Sequence, residues 1–204
     1  MAQSPLSELR DPRLVTWVRA LVATPGLTAI KDAEDAWREH VERSLEAADV
    51  VSRFDGPIVD VGSGGGSPGI PLAVAFPDRE VTLLEAQERK VAALERFAAA
   101  FPNVRVVQGR AEEQATDRYG VAVARALATP PVAAEWCLPL VAPGGAVVLY
   151  VGPSVDAEHV QRVADRVGGG EVSEEPGLLV IPKIAPTPEG FPRRPGVAKR
   201  RPLA

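Results

Sequence analysis

The sequence contains little of what disulfide-bonded, metal-cluster or membrane proteins need. Its 204 residues include one cysteine, Cys137, which excludes an internal disulfide and a cysteine metal cluster. No apolar run approaches the roughly 20 residues of a membrane span, and there is no internal repeat or low-complexity tract. Arg10 and Arg13 stand where a signal peptide would need an apolar core. We therefore expect a cytoplasmic protein with no membrane association and no bound metal.

The composition is otherwise that of one globular domain with a small appendage, at 46% hydrophobic and 25% charged residues. The net charge of −4 argues by itself against nucleic-acid binding, but it conceals an asymmetry. The segment from Pro182 to the last residue holds six basic residues and one acidic residue, so it carries +5 and the remainder carries −9. The chain thus combines an acidic body with a basic tail.

The most informative stretch is residues 58–71, which read IVDVGSGGGSPGIP. A short apolar strand containing Asp60 runs into a turn with glycines at alternate positions, Gly62, Gly64 and Gly66. Glycines leave the backbone open to a ligand, and the helix that follows directs its free N–H groups at the turn. Such a turn suits either a dinucleotide or S-adenosylmethionine.

Alternating apolar strands and amphipathic helices follow from residue 57. Predicted strands cover 57–61, 80–85, 104–108, 119–124, 145–151 and 178–184, and predicted helices cover 69–76, 87–101, 131–141 and 154–167. Two more helices, 5–23 and 33–53, precede them, the second with Asp32 as N-cap. The pattern predicts an α/β, Rossmann-like fold with a mostly parallel sheet and an antiparallel edge strand. We divide the chain into a helical cap (1–56), a ligand-binding domain (57–184) and a proline-rich basic arm (185–204).

Polar residues stand at the ends of four successive strands, which share one edge of a parallel sheet. Asp60 is placed for the donor's amino group, Glu85 for ribose hydroxyls, Glu112 for the adenine edge and Arg125 for a carboxylate or phosphate. The position of Asp60 and the Ser67-Pro68 pair favour S-adenosylmethionine, although residues 64–69 also match the dinucleotide fingerprint. A dinucleotide oxidoreductase ranks last, because no catalytic Tyr-Lys or Cys-His arrangement follows.

Several strings match one family: DVGSGGGSPGIP (60–71), GRAE (109–112), ARA (124–126), PGG (143–145), TPEGFPRRPG (187–196) and KRRPL (199–203), with Leu27-Thr28 and His40 upstream. On them the chain resembles the bacterial 16S rRNA guanine-N7 methyltransferases, once called the glucose-inhibited division protein B family. The resemblance implies the class I S-adenosylmethionine-dependent methyltransferase fold, that cofactor, and 16S rRNA or the small ribosomal subunit as partner. The family pattern places donor contacts at Gly62, Ser67, Ala111, Glu112 and Arg125.

The residues and the resemblance together give one predicted site. The cofactor-binding set is Asp60, Gly62, Gly64, Ser67, Glu85, Ala111, Glu112 and Arg125, with Arg125 as the catalytic residue that orients the donor or the guanine. The RNA-binding set is Lys31, Arg193, Arg194, Lys199, Arg200 and Arg201. Guanine N7 carries a lone pair and no proton, so no strong general base is needed. We expect a monomer.

Three positions depart from the family pattern, namely Gly26, Arg43 and Val151, and all fall on the cap or on the expected RNA side. Two alternatives therefore stay open: a methyltransferase acting on a small molecule, and a binder of S-adenosylmethionine without turnover. His40 is interpreted as a packed or capping histidine, and Trp17, Trp37 and Trp136 as core residues.

Overall fold

The computed structural model describes residues 10–153 and 155–204, and the helical cap comes first in it. Helix α1 spans Pro12–Ala23, and its N-cap is Asp11, whose carboxylate accepts from the Arg13 N–H at 2.8 Å. Residues 5–9 of the predicted helix 5–23 lie outside the described residues. The helix buries Leu14, Trp17 and Leu21 along one face, as its apolar spacing predicts.

The second helical region is segmented, whereas the sequence predicted one helix over 33–53. Helix α2 (Ala33–Trp37) is followed by a π-helical turn (Arg38–Glu42), by α3 (Arg43–Leu45) and by α4 (Ala48–Val51). The predicted N-cap is confirmed, since the Asp32 carboxylate accepts from the N–H groups of Glu34 and Asp35. The wider turn contains His40, which the site described below uses.

The remaining elements alternate as predicted. They are β1 (Ile58–Val61), α5 (Gly69–Ala75), β2 (Val81–Glu85), α6 (Glu88–Ala98), β3 (Val104–Gln108), β4 (Tyr119–Arg125), α7 (Pro130–Cys137), β5 (Val141–Tyr150), α8 (Ala157–Ala164), β6 (Ser173–Glu175), β7 (Leu178–Pro182) and α9 (Val197–Arg200). Short 3₁₀ turns cover Ala111–Glu113 and Leu138–Leu140. The predicted helix 131–141 ends early because Pro139 has no N–H to continue it.

The strands form one sheet in the order β3-β2-β1-β4-β5-β7-β6. Strands β1 to β5 pair in parallel, and β7 runs antiparallel to β5, with Val147 opposite Ile181. This confirms the predicted mostly parallel sheet with antiparallel pairing at one edge. The sequence did not predict β6, a short polar strand that pairs with β7 and forms the outermost position.

Alternate residues of the strands serve two cores. One face, with Ile58, Leu83 and Val123, is covered by α1, α2 and α4 to α6. The other face, with Val61 and Leu149, is covered by α7, α8 and α9. Trp17, Trp37, Trp136 and Cys137 are buried in these cores, as predicted.

A buried lysine, Lys183, precedes the basic arm. The ammonium of Lys183 donates to the carbonyls of Leu138 and Val167 and to the hydroxyl of Thr187, while the Thr187 hydroxyl donates to Asp117 at 2.9 Å. The arm therefore leaves the sheet at a fixed point. Over the residues described, no helix has the length and apolarity that a membrane crossing requires.

Candidate active site

A cavity of about 410 Å³ opens at the carboxyl ends of β1 and β2 and the turns after β3 and β4. Four of the predicted cofactor residues line it: Gly62, Glu85, Ala111 and Glu112. Lys90, Trp136 and Lys199 complete much of the wall. The edge of the sheet that the sequence selected is thus the one that holds the cavity.

The glycine turn leaves bare backbone on the cavity wall. Gly62 has φ +74°, a left-handed conformation, and a Cβ there would lie 2.5 Å from Cδ1 of Leu127, which also lines the cavity. The cap supports the turn from behind, because the Trp17 indole N–H donates to the carbonyl of Gly65 at 3.1 Å. A side chain at Gly62 would therefore meet the wall of the cavity.

Glu85 both accepts a hydrogen bond from the glycine turn and lines the cavity. One carboxylate oxygen accepts from the Gly64 N–H at 3.0 Å and the other from the Gln87 N–H at 2.8 Å. Gly64 thus enters the site through its backbone. Each oxygen of a carboxylate can accept a second hydrogen bond, so Glu85 retains acceptors for two ligand hydroxyls.

Asp60 lies beneath the turn, wholly buried. Its Oδ2 accepts from the Gly69 N–H at 2.9 Å, whereas its buried Oδ1 has no hydrogen-bond partner among the residues described. Burial raises the pKa of Asp60 to about 7, against the lowering effects of the Gly69 N–H and Arg125. A cationic ligand group near this carboxylate would remove that penalty.

Arg125 ends β4 in a polar cluster with the cap, outside the main lining of the cavity. Its guanidinium donates to the Glu39 carbonyl at 2.6 Å and to the Ser67 hydroxyl, and it lies 3.1 Å from Nδ1 of His40. The Glu39 carboxylate lies 3.7 Å from Arg125 and 3.7 Å from Arg43. The structure therefore brings two predicted site residues, Ser67 and Arg125, into direct contact beside the π-helical turn of the cap.

His40 is a partly buried, hydrogen-bonded histidine of the same polar cluster. Its Nδ1 lies within 3.1 Å of two donors, the Arg125 guanidinium and the Ser67 hydroxyl, so it must accept. Its Nε2 lies 3.0 Å from the Thr28 hydroxyl. Burial, together with the charge of Arg125, lowers the pKa of His40, which favours the neutral ring. The Leu27-Thr28 and His40 strings were the available signal.

The turn after β3 connects the cavity to the arm. Ala111 and Glu112 line the cavity, and one Glu112 oxygen accepts from the Gly196 N–H of the arm at 3.0 Å. The other oxygen lies 3.8 Å from Arg110. Glu112 therefore has partners on the protein as well as a place on the cavity wall.

The predicted RNA-binding residues fall into two groups. Lys31, Arg194, Lys199, Arg200 and Arg201 are exposed. Arg193 differs, because its guanidinium makes two 2.5 Å hydrogen bonds to Glu135, whose side chain is only 3% exposed, and donates to the Arg201 carbonyl. A guanidinium held by a buried carboxylate anchors the arm, and a role of Arg193 in RNA binding stays a prediction.

Two solved structures with a similar fold are methyltransferases. The chain is similar to the apo S-adenosylmethionine-dependent methyltransferase SibL, with a TM-score of 0.58 at 16% identity over 82% of this chain and 62% of that one. It is also similar to the antibiotic-resistance methyltransferase Kmr, with a TM-score of 0.53 at 15% identity over 70% and 93%. At these identities the likeness establishes the fold alone.

Relatives found by sequence have a higher identity to this chain than these solved structures do. Proteins named ribosomal RNA small subunit methyltransferase G are similar to this chain at 34% identity in Synechococcus sp. (strain JA-3-3Ab), over 94% of this chain and 83% of that protein. The identity is 37% in Alkaliphilus metalliredigens, over 87% and 82%. The family model described as "GidB: rRNA small subunit methyltransferase G" matches residues 13–170, from α1 to the glycines that follow α8. The chain belongs to the GidB family of rRNA small subunit methyltransferases.

Proposed function

We propose that this protein transfers a methyl group from S-adenosylmethionine to N7 of a guanine in 16S rRNA. One observation carries the proposal: the cavity at the strand ends brings together Gly62, Glu85, Ala111 and Glu112 in a chain of the GidB family. The proposed place of action is the cytoplasm, and the proposed partner is 16S rRNA or the small ribosomal subunit, bound by a monomer.

The residues present fit an adenosyl donor. Gly62 offers backbone without a side chain, Glu85 retains acceptors for a pair of ribose hydroxyls, and Asp60 has a buried oxygen without a partner among the described residues. We assign Glu85 to the ribose, Ala111 and Glu112 to the adenine end, and Asp60 to the amino group. When bound, S-adenosylmethionine supplies a sulfonium methyl group, which is already electrophilic.

The residues of the protein contribute to the reaction by positioning the guanine relative to the methyl group. The N7 lone pair is available without deprotonation, so the chain needs to hold guanine in line with the methyl group and to exclude water. We assign this orienting role to Arg125, at the end of β4. Glu39, His40 and Ser67 fix its guanidinium in place, so the cap forms part of the reaction centre.

The exposed cations of the arm, with Lys31 of the cap, are assigned to phosphates of the RNA. They are Lys31, Arg194, Lys199, Arg200 and Arg201. A guanine in folded RNA must be exposed or turned out of its stack to reach the site.

The test is transfer of labelled methyl groups to RNA. Purified protein is incubated with methyl-labelled S-adenosylmethionine and either small subunits or 16S rRNA that lack the modification, and the labelled nucleoside is identified by mass spectrometry. We expect one N7-methylguanosine per 16S rRNA. The Glu85→Ala variant should lose most donor binding and with it the label.

Two outcomes contradict the proposal. Donor binding without label on either RNA substrate would leave a non-catalytic binder. Transfer to a small molecule in an RNA-depleted extract, insensitive to salt, would identify the other methyltransferase class. A matched variant, Glu80→Ala, removes a carboxylate at the opposite end of β2 and should behave as wild type.

A further inference from the structure

We propose that the C-terminal arm is a wall of the methyl-donor site, with Lys199 as a donor-binding residue and Trp136 as its partner. The inference rests on the proposed function. It separates Lys199 from the other exposed cations of the arm, which remain assigned to RNA.

The arm is docked on the body by contacts that converge on the cavity. Arg193 is bound by the buried carboxylate of Glu135, and Ala198 is 2% exposed in the core beside α7. Between them, the Gly196 N–H donates to Glu112, a residue of the cavity wall. The short helix α9 is thereby held in a single orientation against α7 and the turn after β3.

That orientation separates the basic side chains of α9. Lys199 lines the cavity, and its ammonium lies 5.2 Å from the centroid of the Trp136 ring, within the range of a cation–π contact. Arg200, the next residue, is exposed and does not appear on the cavity wall. Two neighbouring cations of the same segment therefore meet different surroundings.

Trp136 gives a second indication that this wall meets a ligand. It lines the cavity and is 6% exposed, yet its buried indole N–H donates to no group in the described part of the chain. Buried donors are satisfied in the great majority of cases. A heteroaromatic ligand beside Glu112 would bring acceptor nitrogens to this wall.

The consequence is coupling between donor and RNA. A ligand in the cavity touches Glu112, Trp136 and Lys199, all of which contact or belong to the arm, so the bound donor favours the docked arm. The docked arm presents Arg194 and Arg200 in fixed positions. By reciprocity, RNA held by those cations favours donor binding by the same factor.

The experiment compares three single variants with the wild type, as full-length proteins, by calorimetric titration with S-adenosylmethionine in the absence of RNA. Lys199→Met keeps the length of the side chain and removes the charge, and we expect donor Kd to rise about fivefold, the size of one partly solvated charged contact. Lys199→Arg keeps the charge and should restore affinity. Arg96→Met removes a positive charge from an exposed residue of α6 that does not line the cavity, and it should leave donor Kd unchanged.

A second readout does not depend on substitution. Amide hydrogen exchange over residues 194–201 of the wild type should slow when the donor binds, because the docked arm is favoured. Thermal unfolding of the variants without donor should coincide, and earlier unfolding of Lys199→Met would place its effect in the fold and count against the proposal.

The outcomes separate the arm's role from the enzyme's function. If all variants bind the donor alike and exchange over 194–201 does not change, the wall is overturned while the proposed function stands. If the wild type itself binds no donor, the proposed function fails and the wall with it.

Discussion

At the residue scale, Asp60 holds the least favourable charge of the site. Its pKa is raised to about 7 by burial, so in the free protein it keeps its proton over much of the range from pH 4 to 7. A raised carboxyl pKa means that the folded state binds more protons than the unfolded state in this window, and stability falls as pH rises through it. The proposed function accounts for this loss of stability, because the ionised carboxylate of Asp60 is the form that would bind a cationic ligand group.

Donor binding should therefore release a proton from Asp60 below pH 7. The donor's ammonium selects the ionised carboxylate, so donor affinity should rise with pH by up to about tenfold per pH unit below pH 7 and level off above it. Calorimetry at pH 6 in two buffers of different ionisation enthalpy measures the released proton. Asp60→Asn, which cannot ionise, should bind the donor weakly and show no release near pH 6. A release unchanged in that variant would assign the proton to another group.

At Gly62, two requirements for glycine can be tested separately: the left-handed backbone and the space beside Leu127. Its φ of +74° disfavours any side chain, and a Cβ would also meet Leu127 on the cavity wall. Gly144 has φ +92°, but a Cβ at that residue would have no other atom within 4 Å, so it shares only the first requirement.

Gly144→Ala should lower the free energy of unfolding by about 1 kcal/mol from backbone strain, and Gly62→Ala by at least as much, because its Cβ also displaces the Leu127 side chain. Gly62→Ala alone should weaken donor binding, by at least about tenfold or 1.4 kcal/mol, because the methyl group occupies the bare turn. Urea unfolding and donor titration on both variants provide the measurements. Equal donor affinity in the two would remove the turn from the donor site.

At the scale of elements, the cap contacts the end of β4, and with it the proposed reaction centre, at the π-helical turn. Arg125 has its partners on the turn and on Ser67, and the ring of His40 accepts from this side while Nε2 faces Thr28. Because the ring must be an acceptor here, a side chain with an oxygen at the same place can replace it.

We expect His40→Ala to reduce the rate of methyl transfer at saturating donor by at least about tenfold, since Arg125 loses a positioning partner. His40→Asn places an amide oxygen near Nδ1 and should keep the rate within about threefold. Single-turnover assays at pH 7.5, where His40 is neutral, compare the two. Similar losses in both variants would show that packing of the ring, and not its acceptor, matters.

Local pattern predicted the elements with a strong period and missed those without one. The strands around Leu83 and Val123 alternate between two buried faces, and the sequence identified them. The strand Ser173–Glu175 is polar and three residues long, so only its pairing with β7 reveals it. The turn Arg38–Glu42 is a hydrogen-bonding variant inside an otherwise helical pattern.

The same difference between local pattern and long-range contact applies to the candidate site. Gly62 follows β1, Glu85 ends β2 and Glu112 lies in the turn after β3, so the carboxyl edge of the sheet brings them to one cavity. The contact of His40 with Arg125 joins residues 85 apart, and that of Arg193 with Glu135 joins residues 58 apart. No local spacing encodes such pairs, so the sequence predicted neither the contact of His40 with Arg125 nor that of Arg193 with Glu135.

At the scale of the whole molecule, the segment after Pro182 exposes fewer cations than its sequence suggests. Of the six basic residues after Pro182, Lys183 is 1% exposed and Arg193 is bound to Glu135. Four exposed cations remain in this segment, Arg194, Lys199, Arg200 and Arg201, beside an acidic body. If these cations bind the RNA as proposed, the acidic remainder of the protein should disfavour its phosphates elsewhere on the surface.

The salt dependence of RNA binding should reveal how many of these cations meet phosphates. Each neutralised phosphate contributes about 0.7–0.9 to the slope of log K against log salt. The double variant Arg194→Gln, Arg200→Gln should lower the slope of the wild type by about 1.4–1.8 on this basis. Arg96→Gln with Arg105→Gln removes the same charge from exposed residues of α6 and β3 and should leave the slope unchanged. Equal slopes in the two double variants would mean that the net charge of the protein, and not the arm, determines its affinity for RNA.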